Sequence, residues 1–269
     1  MVATPIGNLR DLSFRALDIL NEVDLILCED TRKSSILFKE FDILTKYDSL
    51  HEFTSFKNIE KYISFLEKGN SIALISDAGT PLISDPGYEI VKIAKEKNIL
   101  VNPLPGPSSV ISALIGSGLK IDQFIFEGFP PRKKQELENY LKRYLYEERT
   151  LVLFESPRRI KKLVQSVVEI LGKNRKVALA KEISKPYQKF LNGTSQNLLK
   201  EIEKDKNLEK GEIVFLIEGT KIKSSIDNVE VEILVKSLKE HLPLRKISKI
   251  VSKISKKTSK EIYDTFKKK

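Results

Sequence analysis

Short apolar runs alternate with amphipathic stretches over the first 120 residues. Residues 24–27, 71–75 and 99–101 are apolar runs bounded by polar or turn residues. Each is too short for a helix and reads as a buried strand, with Val2-Ala3 as a strand stub. Between them the period changes to that of a helix. Ser13 is placed to cap a helix carrying Phe14, Leu17, Leu20 and Val23 on one side. Asn58 is expected to open another, with Ile59, Tyr62, Ile63 and Leu66, closed by Gly69. Residues 87–96 and 108–115 follow the same pattern, the second closed by Gly116 or Gly118. Strands separated by single helices predict a mostly parallel sheet.

Near residue 120 the pattern starts again. Phe124–Phe129 is apolar, a charged helix is expected over about 132–148, and residues 150–154 form a strand. Ser156 and Pro157 cap a helix running to Leu171-Gly172. Strand 176–180, a hairpin partner near 188–192, helix 195–204 and strand 213–217 complete a second α/β unit. Residues 220–228 are polar and read as a linker. Beyond it, Val231, Leu234, Val235 and Leu238 form one helical stripe, and Ile247, Ile250, Val251 and Ile254 another. Thr258 and Glu261 form a capping box before Ile262 and Phe266. The predicted organisation is an α/β domain at 1–121, a second at 122–222, and a basic, helix-turn-helix-like helical module at 223–269.

Composition narrows the function. At 269 residues and 41% hydrophobic, the chain can bury two cores. No run of eighteen apolar residues exists, so no membrane span is expected. Pro5, Gly7 and Arg10 interrupt any signal-peptide core. The lone Cys28 rules out an internal disulfide and fits a reducing cytoplasm. Two histidines and one cysteine cannot build a zinc site at the usual spacings, and no carboxylate cluster demands magnesium, so no metal is expected. Residues 245–269 carry ten Lys or Arg against two acids, a net of +8 out of +10 for the whole chain. A basic tail on a nearly neutral body implies a polyanionic partner.

The candidate chemistry lies in polar loops. There is no phosphate-binding G-x-x-x-x-G-K-[ST] loop, no three-glycine dinucleotide fingerprint and no Gly-x-Ser-x-Gly elbow. What remains is Thr4-Pro5-Ile6-Gly7-Asn8, Cys28-Glu29-Asp30-Thr31-Arg32, the run Ser76–Gly87, residues 103–109 and Glu155-Ser156-Pro157. All but the last follow strands of the first unit and are expected to converge at one sheet edge, where open α/β sheets bind small ligands. Asp85-Pro86-Gly87 by itself reads as a helix start, with Asp85 as cap. The Ser76–Thr80 run before it has no such structural explanation.

In this order, Val2-Ala3-Thr4-Pro5-Ile6-Gly7-Asn8-Leu9, Glu29-Asp30-Thr31-Arg32, Ser76–Gly87 and Glu155-Ser156-Pro157 resemble the bacterial 16S ribosomal RNA cytidine 2′-O-methyltransferases, of the tetrapyrrole-methylase superfamily. The resemblance extends over nearly the whole chain, basic tail included. It implies S-adenosylmethionine in a cleft between the two α/β domains, and a homodimer acting on 16S rRNA or the small ribosomal subunit in the cytoplasm. Carried over, Thr4 and Pro5 contact the cofactor from the first loop. Asp77, Ala78, Gly79 and Thr80 hold its methionine part, and Ser108, Ser109 and Val110 form a third segment. Phe154 and Glu182 belong to the second domain, with Glu212 a weaker candidate. Family members usually carry a few more residues ahead of the Val-Ala-Thr-Pro stretch, completing a first strand. Arg158 stands where they usually have His, and Lys181 where they usually have Arg.

The implied reaction is in-line attack by a ribose 2′-oxygen on the methyl of a sulfonium. It needs alignment and a base for a weakly acidic proton. Glu29, Asp30 and Glu155 are the candidate bases, and Arg32 a candidate clamp for phosphate or carboxylate. A methyltransferase on a small tetrapyrrole shares the fold but has no use for the basic tail. A non-catalytic RNA-binding factor would not need the cofactor loops.

Overall fold

Side-chain caps set where most helices begin. In the computed structural model, which describes residues 1–51, 54–220, 228–255 and 257–267, Ser13 Oγ accepts from Ala16 N–H at 3.1 Å and opens α1 (Phe14–Glu22). Asp30 caps α2 (Thr31–Glu40) and Ser55 caps α3 (Phe56–Glu67). The sequence reading placed the start of α3 at Asn58. Asn58 is instead the donor to the Ser55 cap, and the exposed Phe56 hid the first turn from the apolar pattern. Thr31 and Arg32, expected in a loop, form the first turn of α2.

Strands β1 (Leu25–Cys28), β2 (Tyr47–Ser49) and β3 (Ile72–Leu74) form a parallel sheet in the order β2-β1-β3. Helices α4 (Tyr88–Glu96) and α5 (Ser109–Gly116) complete this half. Val2 N–H donates to Leu74 O at 2.9 Å and Leu104 N–H to Met1 O at 2.8 Å, so the N-terminus lies between β3 and residues 101–104. On the 101–104 side the pairing is an isolated parallel bridge between Val2 and Leu104. The strand expected at 99–101 does not form, because Pro103 and Pro105 supply no N–H to a ladder.

The second sheet is β4 (Phe124–Phe126), β5 (Thr150–Glu155), β6 (Lys176–Lys181), β7 (Lys189–Thr194) and β8 (Ile213–Ile217), in the order β4-β5-β8-β6-β7. Only β4 and β5 run parallel; the other pairs are antiparallel, so the parallel expectation holds for the first sheet alone. Helix α6 (Lys134–Lys142) ends earlier than expected, in tighter i→i+3 turns from Tyr140 to Tyr144. α7 (Pro157–Leu171) and α8 (Ser195–Lys204) cover one face of the sheet, around Phe215, Ile160 and Leu179.

The other face is covered from the first half of the chain. Val110, Ala113 and Leu114 of α5 pack on Val152, Ala178, Val214 and Leu216. A Cβ at Gly116 would stand 2.4 Å from the Phe190 ring, so glycine permits this approach. Ser184 Oγ also donates to the Asp11 carboxylate across the halves. The chain accordingly divides after Thr220 into two compact units, the first holding both sheets.

In the second unit, α9 (Asn228–Lys239), α10 (Leu244–Val251) and α11 (Ser259–Lys267) enclose a core of Val231, Val235, Ile247, Val251, Ile262 and Phe266. The capping box forms reciprocally: Glu261 N–H donates to Thr258 Oγ1 at 3.2 Å and Thr258 N–H to Glu261 Oε2 at 2.7 Å. Ile250 and Ile254, read as stripe positions, are exposed. Nearly all of the linker expected at 220–228 lies outside the described residues.

Met1, Ile72, Leu74, Ala94, Ile99 and Val101 line an apolar slot of about 360 Å³ beside β3. An apolar tripeptide added ahead of Met1 is expected to fill it as a strand and raise the melting temperature by on the order of 5 °C. Calorimetry checks this; an unchanged or lowered midpoint means the slot does not accept a strand.

Candidate functional site

The polar loops meet because their backbones are stitched together. Thr4 and Gly79 exchange two backbone hydrogen bonds, at 2.9 and 3.0 Å. Thr4 Oγ1 donates to Ser76 O at 3.1 Å and Thr80 Oγ1 to Pro107 O at 3.1 Å. Asp77 joins the loops after β1 and β3: its Oδ1 accepts from Asp30 N–H at 3.0 Å and its Oδ2 from Lys33 Nζ at 2.6 Å. The 76–87 run is a tight coil, with Gly79, Leu82, Ser84 and Gly87 all at positive φ. For Leu82 and Ser84 that conformation is strained, and strain of this kind collects at functional loops.

Below this network a cleft of about 450 Å³ opens between the two sheets. Its polar wall holds five carboxylates, Glu29, Asp77, Asp85, Glu155 and Glu212, against one ammonium, Lys33. Its apolar wall includes Ile6, Phe129, Phe154 and Ile183, with the Phe129 and Phe154 ring centroids 5.6 Å apart. Burial, then the charge of Asp77, raises the Glu29 carboxyl above its usual range. Burial, then the charge of Glu29, pushes Asp85 up to about 6. Burial also raises Glu155. Glu155 Oε1 accepts from Ser156 N–H at 2.7 Å, while the buried Oε2 faces Arg159 at 3.2 Å without a hydrogen bond. A low-dielectric cleft with this surplus of negative charge favours a cationic ligand.

Of the residues singled out from sequence, Glu29, Asp77, Ala78, Ser109, Phe154 and Glu155 line this cleft. Thr4, Gly79 and Thr80 stand one layer behind, in the loop network, with Pro5 buried beside them. Ser108 caps α5, and Val110 is committed to the core under the second sheet. Asp30 and Arg32 hold each other, at 3.0 and 2.7 Å. Hydrogen bonds from Arg32 keep the Asp30 carboxyl down at about 2. The Arg32 side chain is 88% exposed, at the protein surface. Glu182 lies outside the cleft wall. Its Oε1 accepts from Glu212 N–H at 2.7 Å, so it fixes the entry to β8, where Glu212 faces the cleft.

Lys33, Asp85, Phe129 and Ile183 were not anticipated as site residues. Lys33 follows from α2, whose first turn the capping Asp30 would have revealed. Asp85 does not cap α4; Gly87, at φ 118°, takes that position and leaves the Asp85 carboxyl at the cleft. Among the described residues no three His, Cys, Asp or Glu side chains are arranged to hold a metal.

A family model described as Tetrapyrrole (Corrin/Porphyrin) Methylases matches residues 1–199. Diphthine synthase superposes with a TM-score of 0.63 at 17% identity, over 86% of this chain and 92% of its own. Uroporphyrin-III C-methyltransferase from Thermus thermophilus, solved with S-adenyl homocysteine, gives 0.55 at 13% identity, over 81% and 95%. At these identities the likeness establishes the fold alone.

Closer relatives are more specific. The ribosomal RNA small subunit methyltransferase I of Escherichia coli O157:H7 is 39% identical, covering 94% of this chain and 89% of its own. That of Haemophilus influenzae is 40% identical, covering 94% and 90%. The chain belongs to the ribosomal RNA small subunit methyltransferase I family, within the tetrapyrrole methylases.

The cap role of Asp30 is separable from its charge. Asp30→Asn keeps an N-cap acceptor and is expected to lower stability less than Asp30→Ala, which removes the cap and the Arg32 partner together. Urea unfolding of the two variants measures the difference.

Proposed function

We propose that this chain methylates the ribose 2′-oxygen of a cytidine in the 16S rRNA of the small ribosomal subunit, as a cytoplasmic homodimer. S-adenosylmethionine is the cofactor, and when bound it supplies an electrophilic methyl group on a sulfonium. The observation that carries the reading is the cleft: five carboxylates against one lysine beside an apolar wall. That donor set fits a ligand with a sulfonium, an ammonium and a flat aromatic part. Asp77, Ala78 and Ser109 would hold its polar end, and Phe129 and Phe154 would wall its adenosine part. Thr4, Gly79 and Thr80 keep those side chains in place through the loop network, so little reorganisation accompanies binding.

For the proton of the attacking hydroxyl, Asp30 is a poor acceptor, because Arg32 holds it ionised down to about 2. Glu29, raised at the cleft wall beside Asp85, belongs to a carboxyl pair better placed than Asp30 to receive it. Arg32, at the protein surface, would meet a phosphate of the RNA. Glu155, turned toward Arg159, positions the second-sheet wall. The polyanion is drawn by the second unit, whose Arg245, Lys246, Lys249, Lys253 and Lys260 are all exposed.

Asp77→Ala is expected to weaken S-adenosylmethionine binding by roughly 10- to 100-fold in calorimetry, with the far-UV spectrum unchanged. Unchanged affinity would sink the assignment. Transfer of a labelled methyl to unmodified small subunits, and none to corrin or porphyrin precursors, separates this reading from a tetrapyrrole methylase.

A chain ending at Ser225 is expected to bind S-adenosylmethionine normally but RNA more weakly, with a shallower dependence of log affinity on log salt. Equal RNA affinity and slope in the truncated chain would remove the tail from the RNA-binding role.

A further inference from the structure

A second cavity, of about 500 Å³, opens beside the N-terminus of α4. Glu29 and Asp85 are the two residues that belong to the walls of both this cavity and the inter-sheet cleft. A pair of carboxylates therefore forms the partition between two chambers. The remaining wall differs in chemistry from the cleft. It presents the Tyr88 ring, 65% exposed, together with His51, Thr54 and the Gly87 turn. Gly87 opens α4 without any side-chain cap, and among the described residues its first-turn N–H groups have no acceptor. An exposed aromatic ring beside hydrogen-bonding groups and a helix N-terminus suits a nucleotide: the ring for base stacking, the N–H groups for a phosphate.

We propose that this cavity receives the acceptor nucleotide, and that Asp85, paired with Glu29 across the partition, takes the proton from its ribose 2′-hydroxyl. The inference rests on the methyl-transfer reading given above and adds to it a place for the acceptor. In the step, the 2′-oxygen forms a bond to the methyl carbon and the methyl–sulfur bond breaks, leaving its electron pair on sulfur. The hydroxyl proton ends on the Asp85 carboxylate. The sulfonium charge is lost as the carboxylate is neutralised, so no further reagent is needed.

The pair is suited to the work. Two carboxylates sharing one buried wall disfavour double ionisation, which keeps one of them basic enough to accept a proton near neutrality. The Asp85 carboxyl, at about 6, lies in that range. The titratable and charged groups around it are Glu29 after β1, Lys33 on α2, His51 after β2, Asp77 after β3, Glu89 on α4 and Glu155 at the end of β5. Only Lys33 among them is a fixed cation, and it is engaged by Asp77 at 2.6 Å.

The test uses the full chain and three variants. In the cofactor-free protein, carbon-detected NMR should find the Asp85 carboxyl titrating near pH 6, and Glu29→Gln should lower that midpoint. Asp85→Asn is expected to weaken S-adenosylmethionine binding by no more than a few-fold and, at saturating cofactor, to lose roughly 10²- to 10⁴-fold in kcat. In the wild type, kcat should rise with pH through about 6 and level above it. Glu29→Gln should shift that rise to lower pH. Tyr88→Ala should weaken binding of a short cytidine-containing RNA to the cofactor-free protein by about tenfold, and raise KM more than it lowers kcat. The proposal is overturned if Asp85→Asn, with cofactor binding intact, keeps kcat within about threefold. It is overturned equally if Glu29→Gln leaves the pH profile unmoved, or if Tyr88→Ala binds RNA as the wild type does. Should Asp85→Asn fail to fold, the other two variants decide. A wild-type protein that binds S-adenosylmethionine yet methylates no RNA refutes the parent reading instead.

Discussion

The seating of α5 on the second sheet is the constraint on which the site depends. α5 follows the loop of residues 103–109 in sequence, but Val110, Ala113 and Leu114 bury against Val152, Ala178, Val214 and Leu216. Buried side chains of this size contribute about 1.5–3 kcal/mol each, and close packing makes the contact specific in position. One end of α5 is thereby fixed to the second sheet. The other carries Ser109 into the cleft, with Ser108 capping the helix there. Thr80 reaches back to Pro107 and ties that end to the loop after β3. The distance between the carboxylates of the first half and the aromatic rings of the second is set by this one short helix. Gly116 against Phe190 shows how little slack the contact has.

Around that fixed frame the first half spends conformational freedom on chemistry. Leu82 and Ser84 occupy left-handed backbone conformations that cost of order 1 kcal/mol or more each. They persist because the flanking chain is held, by Thr4 against Gly79 and by Asp77 against Asp30 and Lys33. The coil turns Asp85 back toward Glu29 instead of letting it cap α4. A raised carboxyl pair is thus a consequence of backbone geometry. The sign of its effect on stability also follows. A carboxyl whose folded value lies above the unfolded one supports the fold at low pH and ceases to do so as pH rises through about 6. At neutral pH the site works against the fold that builds it.

Much of this was legible in the chain because it rests on local rules. Ser13 and the Thr258–Glu261 box read as caps and are caps. The 195–204 helix and 213–217 strand fall where the period changes. The failures are non-local. Whether 213–217 runs antiparallel between β5 and β6 depends on partners about sixty and thirty residues away, which no periodicity records. Asp85 followed by Pro86 has the local signature of a helix start, yet Gly87 at φ 118° wins the position. Asp30 and Arg32 sit at the start of a helix that the apolar pattern does not show, where Asp30 is the cap and bonds Arg32. Lys33 went unseen for the same reason. The motifs of the family resemblance contribute both to the cleft wall and to the layer behind it, and which side chains reach the wall depends on packing between distant segments.

The distribution of charge raises a difficulty that the arrangement itself resolves. A cleft holding five carboxylates repels the phosphates of an RNA, yet on the function proposed above such a polymer has to bring a ribose within bonding distance of it. Exposed charges interact over about 8 Å at physiological ionic strength, so repulsion is confined to the immediate site. Two features relieve it there. A cationic methyl donor offsets part of the negative charge, and Asp85 and Glu29 resist being ionised together. On the same proposal long-range attraction falls to another part of the chain: the last 25 residues hold a net of +8. Capture of the polyanion and chemistry on its sugar place opposite demands on local charge. A single patch serving both would either hold phosphate where the nucleophile must sit or repel the strand altogether. Putting the cations in a separately folded three-helix unit, and the carboxylates in the strained loops of the methylase body, satisfies both demands in one chain.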